Sequence, residues 1–232
     1  MPAKNTLKPY VENSFYHIYN RGVEKRTIFQ DDQDYRVFLH YLKIYLSPPE
    51  SLISYKGVSF VRPPRQRSLN NFHKKISLVT YCLMPNHFHL LVKQKPSNGI
   101  EKFMRSLGTK YVQYFNKRHQ RIGPLFQNTY KAVLIETDEQ LLHLSRYIHL
   151  NPVRDNDKEN SLRSLQKNLL NNYSSYPEYL GKRKTEWVQP KEILNFFKTA
   201  HKTTLKDILS YQSFVEDYQQ SSGKILQGLV LE

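Results

Sequence analysis

A histidine pair at the start of a predicted strand is the feature that most constrains the fold of this chain. Residues 76–83 are rich in β-branched and aromatic side chains, and residues 84–86 separate them from the apolar stretch 87–93. Such a short connection between two strand-like stretches is typical of a β-hairpin. Because successive side chains of a strand point to opposite faces, His87 and His89 are predicted to share one face, side by side.

Two neighbouring imidazoles on one face can bind a single divalent metal ion through their neutral ring nitrogens. The same spacing also fits an edge strand with two solvated histidines, and the spacing alone favours this second interpretation. Other parts of the sequence must therefore decide between a metal site and a solvated strand.

The charge of the chain predicts the chemistry of its partner. Among 232 residues there are 35 Lys and Arg but 20 Asp and Glu, which gives a net charge of +15, spread along the whole length. Since neutralising phosphates releases counterions, this balance favours nucleic acid over a membrane as the partner. The 17 tyrosines and 12 phenylalanines suit stacking on unpaired bases, although core packing accounts for most of them.

Cysteine usage and hydropathy predict the compartment. Cys82 is the single cysteine, so an internal disulfide is excluded and a reducing cytoplasm is favoured. Neither a signal peptide nor an apolar run long enough to cross a bilayer is visible in the sequence. We therefore expect a soluble, cytoplasmic protein.

The periodicity of apolar residues predicts an α+β protein. The expected elements alternate along the chain: strand 15–19, helix 31–46, strands 76–83 and 87–93, a helix capped by Ser97 or Asn98, strand 130–135 and a helix from 137. This order predicts a ferredoxin-like antiparallel sheet with helices on one face, followed by an extra helix. The capping box Thr137–Gln140 starts the extra helix, which should end near Pro152.

Several ordered motifs resemble a known family. They are Tyr-His-Ile-Tyr-Asn-Arg-Gly at 16–22, Tyr-Cys-Leu-Met-Pro-Asn-His-Phe-His-Leu-Leu-Val at 81–92, Gly-Pro-Leu-Phe-Gln at 123–127, Arg-Tyr-Ile-His-Leu-Asn-Pro-Val-Arg at 146–154 and Tyr-Ser-Ser-Tyr at 173–176. In these motifs the sequence resembles the HUH transposases that use a single tyrosine on single-stranded DNA, especially the REP-associated tyrosine transposase branch. The similarity spans roughly residues 14–181.

The resemblance implies a fold, an activity and a cofactor. The fold would be that of HUH nucleases and transposases, with His87 and His89 holding Mg²⁺ or Mn²⁺. Tyr147 would be the nucleophile that attacks a phosphodiester of hairpin-containing single-stranded DNA, leaving a 5′-phosphotyrosine and a free 3′-hydroxyl. With this resemblance, the metal interpretation of the histidine pair is favoured over the solvated strand.

Helical spacing adds a further metal ligand to the candidates. His143, Tyr147 and Asn151 recur every four residues, so they are predicted to share one face of a helix. Related transposases carry a polar side chain, commonly glutamine, at the position of Asn151, so its amide oxygen is a candidate third ligand. Alternatively, Asn151 satisfies backbone groups before Pro152. His143 either assists the phenol or, as we favour, is an ordinary surface histidine.

Basic side chains within or near the motifs are candidates for contact with phosphates, with solvated charge as the alternative for each. These nucleic-acid-binding candidates are Arg21, Lys131, Arg146 and Arg154. On the first strand, His17 and Asn20 either line the site or belong to the core.

The domain organisation is predicted from changes in composition. Residues 1–13 are expected to form a basic N-terminal arm and residues 156–232 a helical C-terminal extension, and the resemblance implies that residues 14–155 between them are the HUH catalytic domain. Residues 50–74 are an insertion that either contacts nucleic acid or is a solvated loop. The extension slightly favours a monomer over a homodimer, because longer REP-associated relatives act as monomers.

Other functions remain open at this stage. A domesticated nuclease that processes dispersed REP hairpins would carry the same residues as a mobile transposase. A non-catalytic module that binds single-stranded nucleic acid would share the fold and the charge. A zinc-dependent hydrolase is disfavoured, because one cysteine and no close third histidine accompany the pair.

Overall fold

The computed structural model describes residues 10–49, 70–154, 162–199, 210–217, 225–226 and 228–229. Most of the predicted basic arm, residues 1–9, lies outside this part of the chain, as do residues 50–69 of the predicted insertion. The roles predicted for these segments stay predictions.

A four-stranded antiparallel sheet forms the centre of the fold. Its strands are β1 (Phe15–Arg21), β2 (Ile76–Met84), β3 (His87–Gln94) and β4 (Lys131–Ile135), in the spatial order β2-β3-β1-β4. Helix α1 (Asp32–Leu46) connects β1 to β2, and helix α2 (Gly99–Arg118) connects β3 to β4. This β-α-β-β-α-β order in an antiparallel sheet is ferredoxin-like, so the predicted fold class is confirmed.

The beginnings of the two connecting helices differ in their caps. The side chain of Asp31 caps α1, because it accepts hydrogen bonds from the backbone N–H groups of Gln33 and Asp34. Asn98 precedes α2 as predicted, but its side chain makes no capping hydrogen bond. The long apolar face of α2 therefore holds this helix in place without help from the cap.

Helices α1 and α2 cover one face of the sheet, as the ferredoxin-like prediction requires. Phe38 of α1 and Phe103 and Leu107 of α2 pack with Phe88 and Leu90 of β3, all at most 2% exposed. The alternation of β3 sends Phe88 and Leu90 into this core and the two histidines to the opposite face.

Helix α3 (Asp138–Arg154) lies on that opposite face, which the prediction of helices on one face did not include. Thr137 accepts a hydrogen bond from the backbone N–H of Gln140 at 3.1 Å, so the predicted start is confirmed. The helix continues through Pro152 to Arg154. A proline in the last turn costs a single backbone hydrogen bond, so the helix does not have to end before it.

Four C-terminal helices pack around α3, and the predicted helical extension is confirmed. They are α4 (Leu162–Asn171), α5 (Tyr176–Tyr179), α6 (Lys191–Thr199) and α7 (Tyr211–Glu216). Leu144 and Ile148 of α3 share a core with Tyr211 and Phe214 of α7. Among the helices of the described chain, none has both the length and the apolar character needed to cross a bilayer.

His149 connects α3 to the edge of the sheet and to α7. Its Nε2 lies 2.9 Å from Ser175 Oγ, and Ser175 Oγ also accepts from the backbone N–H of Tyr81 in β2. Its Nδ1 lies 2.7 Å from Tyr211 Oη, whose hydroxyl donates to Ser145. The Tyr211 oxygen therefore accepts from His149 Nδ1. His149 therefore has a structural role.

The His149 contacts lead to a stability prediction. In the variant His149→Phe the ring is retained but both hydrogen bonds are lost, which leaves buried hydroxyls short of a partner. We expect the free energy of unfolding to fall by about 1–3 kcal/mol, measured by urea denaturation.

His40→Phe is the matched control, because His40 is exposed on α1 and the substitution is the same. A surface change of this kind should stay within about 0.5 kcal/mol. If the two variants were equally stable, the His149 hydrogen bonds would not be holding α3 in place.

Candidate functional site

The pairing of β1 with β3 places three histidines on the sheet face beneath α3. Tyr19 pairs with His89 and Arg21 with His87, and directly paired residues project to the same face. His17, two residues before Tyr19, therefore shares this face. The prediction that His87 and His89 lie side by side agrees with their ring centroids, which are 4.9 Å apart.

His89 is fully buried, and its two ring nitrogens differ in environment. Its Nδ1 lies 2.9 Å from Nε2 of His17, and the two rings stack with their centroids 5.0 Å apart. Its Nε2 is buried without a hydrogen-bond partner among the described residues. Burial, together with the neighbouring His17 and His87, holds the pKa of His89 well below its usual range, so the ring is neutral.

His87 stands at the edge of the site. Its Nδ1 lies 2.6 Å from Oδ1 of Asn86, while the Asn86 amide nitrogen donates to the carbonyl of Lys25 at 3.4 Å. Because a carbonyl oxygen can only accept, His87 donates from Nδ1 to Asn86. In the neutral ring, the lone pair is then on Nε2.

Two tyrosines lie against His89. Tyr147, from α3, packs edge-to-face with a centroid separation of 5.8 Å, and Tyr19, from β1, is tilted at 5.9 Å. Both are buried, with 8% and 5% of their surface exposed. The fold thus brings Tyr147 to the histidine pair, and proximity alone does not distinguish it from Tyr19.

Asn151 lies one turn beyond Tyr147 on α3. Its side chain is buried, and within the described chain its Nδ2 has no hydrogen-bond partner. Unsatisfied buried polar atoms are rare in proteins, and two of them, His89 Nε2 and Asn151 Nδ2, belong to predicted metal ligands.

The residue types at this site fit a divalent ion. A buried neutral imidazole with an unpartnered nitrogen is a ready ligand, and an amide oxygen is the type of ligand that Mg²⁺ and Mn²⁺ accept. The described residues contain no cluster of three or more His, Cys, Asp or Glu arranged around a metal. An ion here would therefore rely on the His87 and His89 imidazoles, with Asn151 and water supplying oxygen.

Cys82 pairs with His89 across the sheet but is not a candidate ligand. It is fully buried, and burial raises the pKa of its thiol well above the usual range. Without a metal the thiol therefore stays protonated, and no metal-binding cluster of His, Cys, Asp or Glu in the described residues includes it.

The predicted phosphate-binding cations are placed differently from one another. Arg21 and Lys131 pair with His87 and Tyr19, so both project from the histidine face, and Arg21 also donates to Gln127. Arg146 is 8% exposed, with its guanidinium 5.9 Å from the centre of the Phe214 ring. The side chain of Arg154 lies outside the described part of the structure.

His143 is not where the sequence placed it, and the position of Asn20, which the sequence left open, is settled by its hydrogen bond. The prediction of a surface histidine is wrong, because His143 is 7% exposed and packs against Phe214 at 5.5 Å. C-terminal helices cover this side of α3, and periodicity within α3 could not reveal them. Asn20 donates to the carbonyl of Asn128 and alternates with Tyr19, so it lies on the other face of the sheet.

His17 is the residue whose role sequence reasoning left undecided. Its Nδ1 lies 2.5 Å from the carbonyl oxygen of Leu229, near the C-terminus. Burial lowers its pKa to about 4, so it is neutral at physiological pH. The period-two alternation with Tyr19 and Arg21 is the signal that placed it on this face.

Comparison with solved structures gives distant similarities. A REP-associated tyrosine transposase bound to a REP hairpin is 12% identical with a TM-score of 0.49, covering 81% of this chain and 92% of that one. A candidate transposase from Deinococcus radiodurans R1 is 16% identical with a TM-score of 0.36, covering 62% of this chain and 94% of that one. No curated protein matches the chain.

Comparison with protein families gives a match to the sequence around the site. Residues 69–151 match the model of the family described as Transposase IS200 like. The matched segment includes β2, β3 and most of α3, and with them His87, His89, Tyr147 and Asn151. This segment of the chain, which carries the histidine pair and the tyrosine beside it, is similar to IS200-like transposases.

Proposed function

We propose that this protein is a metal-dependent tyrosine transposase that cleaves and rejoins hairpin-containing single-stranded DNA. The observation that carries the proposal is the packing of Tyr147 against His89 within a segment of transposase sequence. The net charge of +15, with Arg21 and Lys131 on the histidine face, supports a polyanionic substrate. The proposal includes a cytoplasmic localisation, because such DNA is accessible in the cytoplasm.

In the proposed reaction Tyr147 is the nucleophile. Its phenolic oxygen attacks the phosphorus of a phosphodiester, the bond from phosphorus to the 3′ oxygen breaks, and the phenolic proton is transferred to that oxygen. The products are a 5′-phosphotyrosine and a free 3′-hydroxyl. Because the covalent ester conserves the bond energy, attack by another 3′-hydroxyl can rejoin the strand and release Tyr147.

The histidines prepare the site for the substrate phosphate. His89 presents a neutral imidazole nitrogen, His87 is the proposed second imidazole ligand, and Asn151 is the proposed oxygen ligand. A bound Mg²⁺ or Mn²⁺ supplies Lewis-acid stabilisation of the negative phosphate and orients it. Arg21 and Lys131 are placed to bind flanking phosphates beside the histidine pair.

The assignment of Tyr147 as the nucleophile can be tested by comparison with Tyr19, the other tyrosine beside His89. With a 3′-labelled hairpin oligonucleotide and Mn²⁺, we expect wild-type protein and Tyr19→Phe to form a covalent adduct visible on a denaturing gel, because the tyrosine stays joined to the fragment on the 3′ side of the cleaved bond. Tyr147→Phe should form none, because the attacking oxygen is gone. Tyr19 is the matched control, since its ring lies equally close to His89.

If Tyr147→Phe still formed the adduct, Tyr147 would not be the nucleophile. If Tyr19→Phe alone failed to form it, the role of nucleophile would pass to Tyr19. A wild-type protein that binds the hairpin without forming any adduct would instead favour the non-catalytic binding module.

The metal ligands can be tested by direct binding. Titration of Mn²⁺, followed by electron paramagnetic resonance, should show affinity weakened more than about tenfold in His87→Ala and His89→Ala, since each removes a protein ligand. Chelation should abolish adduct formation, and added Mn²⁺ or Mg²⁺ should restore it.

His40→Ala is the control, because His40 is an exposed histidine on α1, away from the sheet face that carries the site. Mn²⁺ affinity that is unchanged in His89→Ala would remove the metal site from the proposal.

The packing of Tyr147 on His89 also supports a site whose tyrosine and histidines come from one chain, as in a monomer. Tyr147 packs against His89 of its own chain, so a second copy is not needed to bring them together. We therefore expect a mixture of Tyr147→Phe and His89→Ala proteins to remain inactive in adduct formation. Recovery of activity in the mixture would show that tyrosine and histidines come from different subunits of a homodimer.

A further inference from the structure

A buried row of polar groups leads from the C-terminal segment to His89. The carbonyl oxygen of Leu229 lies 2.5 Å from His17 Nδ1, and His17 Nε2 lies 2.9 Å from His89 Nδ1. Both rings are 0% exposed, so bulk solvent does not reach them. Every hydrogen in this row must therefore be placed by the protein itself.

The direction of both hydrogen bonds follows from the contact between the Leu229 carbonyl and His17. A backbone carbonyl can only accept, so His17 Nδ1 carries a hydrogen and donates to Leu229. In neutral His17 the lone pair is then on Nε2, which can only accept. His89 Nδ1 must carry the hydrogen that it donates to His17, which leaves the lone pair of His89 on Nε2.

The opposite arrangement is unfavourable. If His17 donated from both nitrogens, His89 Nδ1 would have to accept, and neutral His89 would carry its hydrogen on Nε2. That nitrogen is buried with no acceptor among the described residues. A buried donor without a partner is costly, whereas an unpartnered lone pair is what a metal ligand needs.

We infer that His17 is a positioning residue that fixes His89 in the tautomer with hydrogen on Nδ1 and an open lone pair on Nε2. His87 reaches the same tautomer through a different partner, because its Nδ1 donates to Asn86 Oδ1. Both histidines of the pair thus present Nε2, and each owes this to an acceptor on its other nitrogen. This inference rests on the proposed metal site.

Metal-ligating histidines depend on such acceptors, which orient the ring and strengthen the ligand nitrogen. His17 differs from the usual carboxylate or carbonyl acceptor in being a second neutral imidazole. It can accept only because the Leu229 carbonyl holds its own hydrogen on Nδ1. The acceptor role of His17 is thus set by a residue that is distant in the sequence.

Two substitutions of His17 separate its role as a hydrogen-bond acceptor from the volume that its ring fills. His17→Gln supplies an amide oxygen that accepts from His89 and an amide nitrogen that donates to Leu229. His17→Phe fills a similar volume and has neither group. We expect Mn²⁺ affinity about 10–100-fold weaker in His17→Phe, and within about threefold of wild type in His17→Gln.

A second readout does not depend on the metal. In metal-free protein with ¹⁵N-labelled histidine, nitrogen resonances distinguish the two tautomers, and His89 is assigned by comparison with His89→Asn. Wild type and His17→Gln should show hydrogen on Nδ1 of His89, and His17→Phe should show a shift toward Nε2.

These outcomes separate the inference from the proposed function. Hydrogen on Nε2 of His89 in wild type, or equal Mn²⁺ affinity of the Phe and Gln variants, would overturn the role of His17 alone. Absence of Mn²⁺ binding to the wild type would overturn the proposed metal site, and the positioning role of His17 would be overturned with it. If His17→Phe does not fold, the wild-type and Gln spectra decide.

Discussion

The burial of α3 on both of its sides is the constraint on which the site depends. Each residue from 141 to 149 is buried, because the sheet covers one side of the helix and the C-terminal segments cover the other. Burying one Leu or Ile side chain contributes about 1.5–3 kcal/mol, so Leu144 and Ile148 strongly favour the docked helix. The rotation of α3 that satisfies this packing is also the one that brings Tyr147 to His89.

Such a buried face restricts the polar groups that it contains. His17, His89 and His149 are all fully buried and neutral, and each has a defined acceptor or donor on at least one nitrogen. Where burial is complete, an unpartnered polar atom is informative because it is costly. Within the part of the chain that the structure describes, His89 Nε2 and Asn151 Nδ2 are such atoms, and both belong to residues that the metal proposal uses.

The sequence predicted what is local and missed what depends on distant packing. Periods of two and of about 3.6 residues located the hairpin, placed His87 and His89 on one face and identified α3, because these patterns report neighbours along one element. The closeness of Tyr147 to His89 followed from the family resemblance alone. His17 stayed ambiguous, and His143 was misplaced, because partners such as Leu229 and Phe214 come from the C-terminal segment.

The two halves of the site are held by different kinds of interaction. His87 and His89 lie on one strand that is paired on both sides, so their separation cannot change without breaking backbone hydrogen bonds of the sheet. Tyr147 is positioned by side-chain packing and by contacts such as that of His149 with Ser175. A small shift of α3 changes the distance from Tyr147 to His89 and breaks no bond between strands. The histidine pair is therefore the rigid half of the candidate site, and the placement of Tyr147 is the half that sequence changes in the C-terminal segment can adjust.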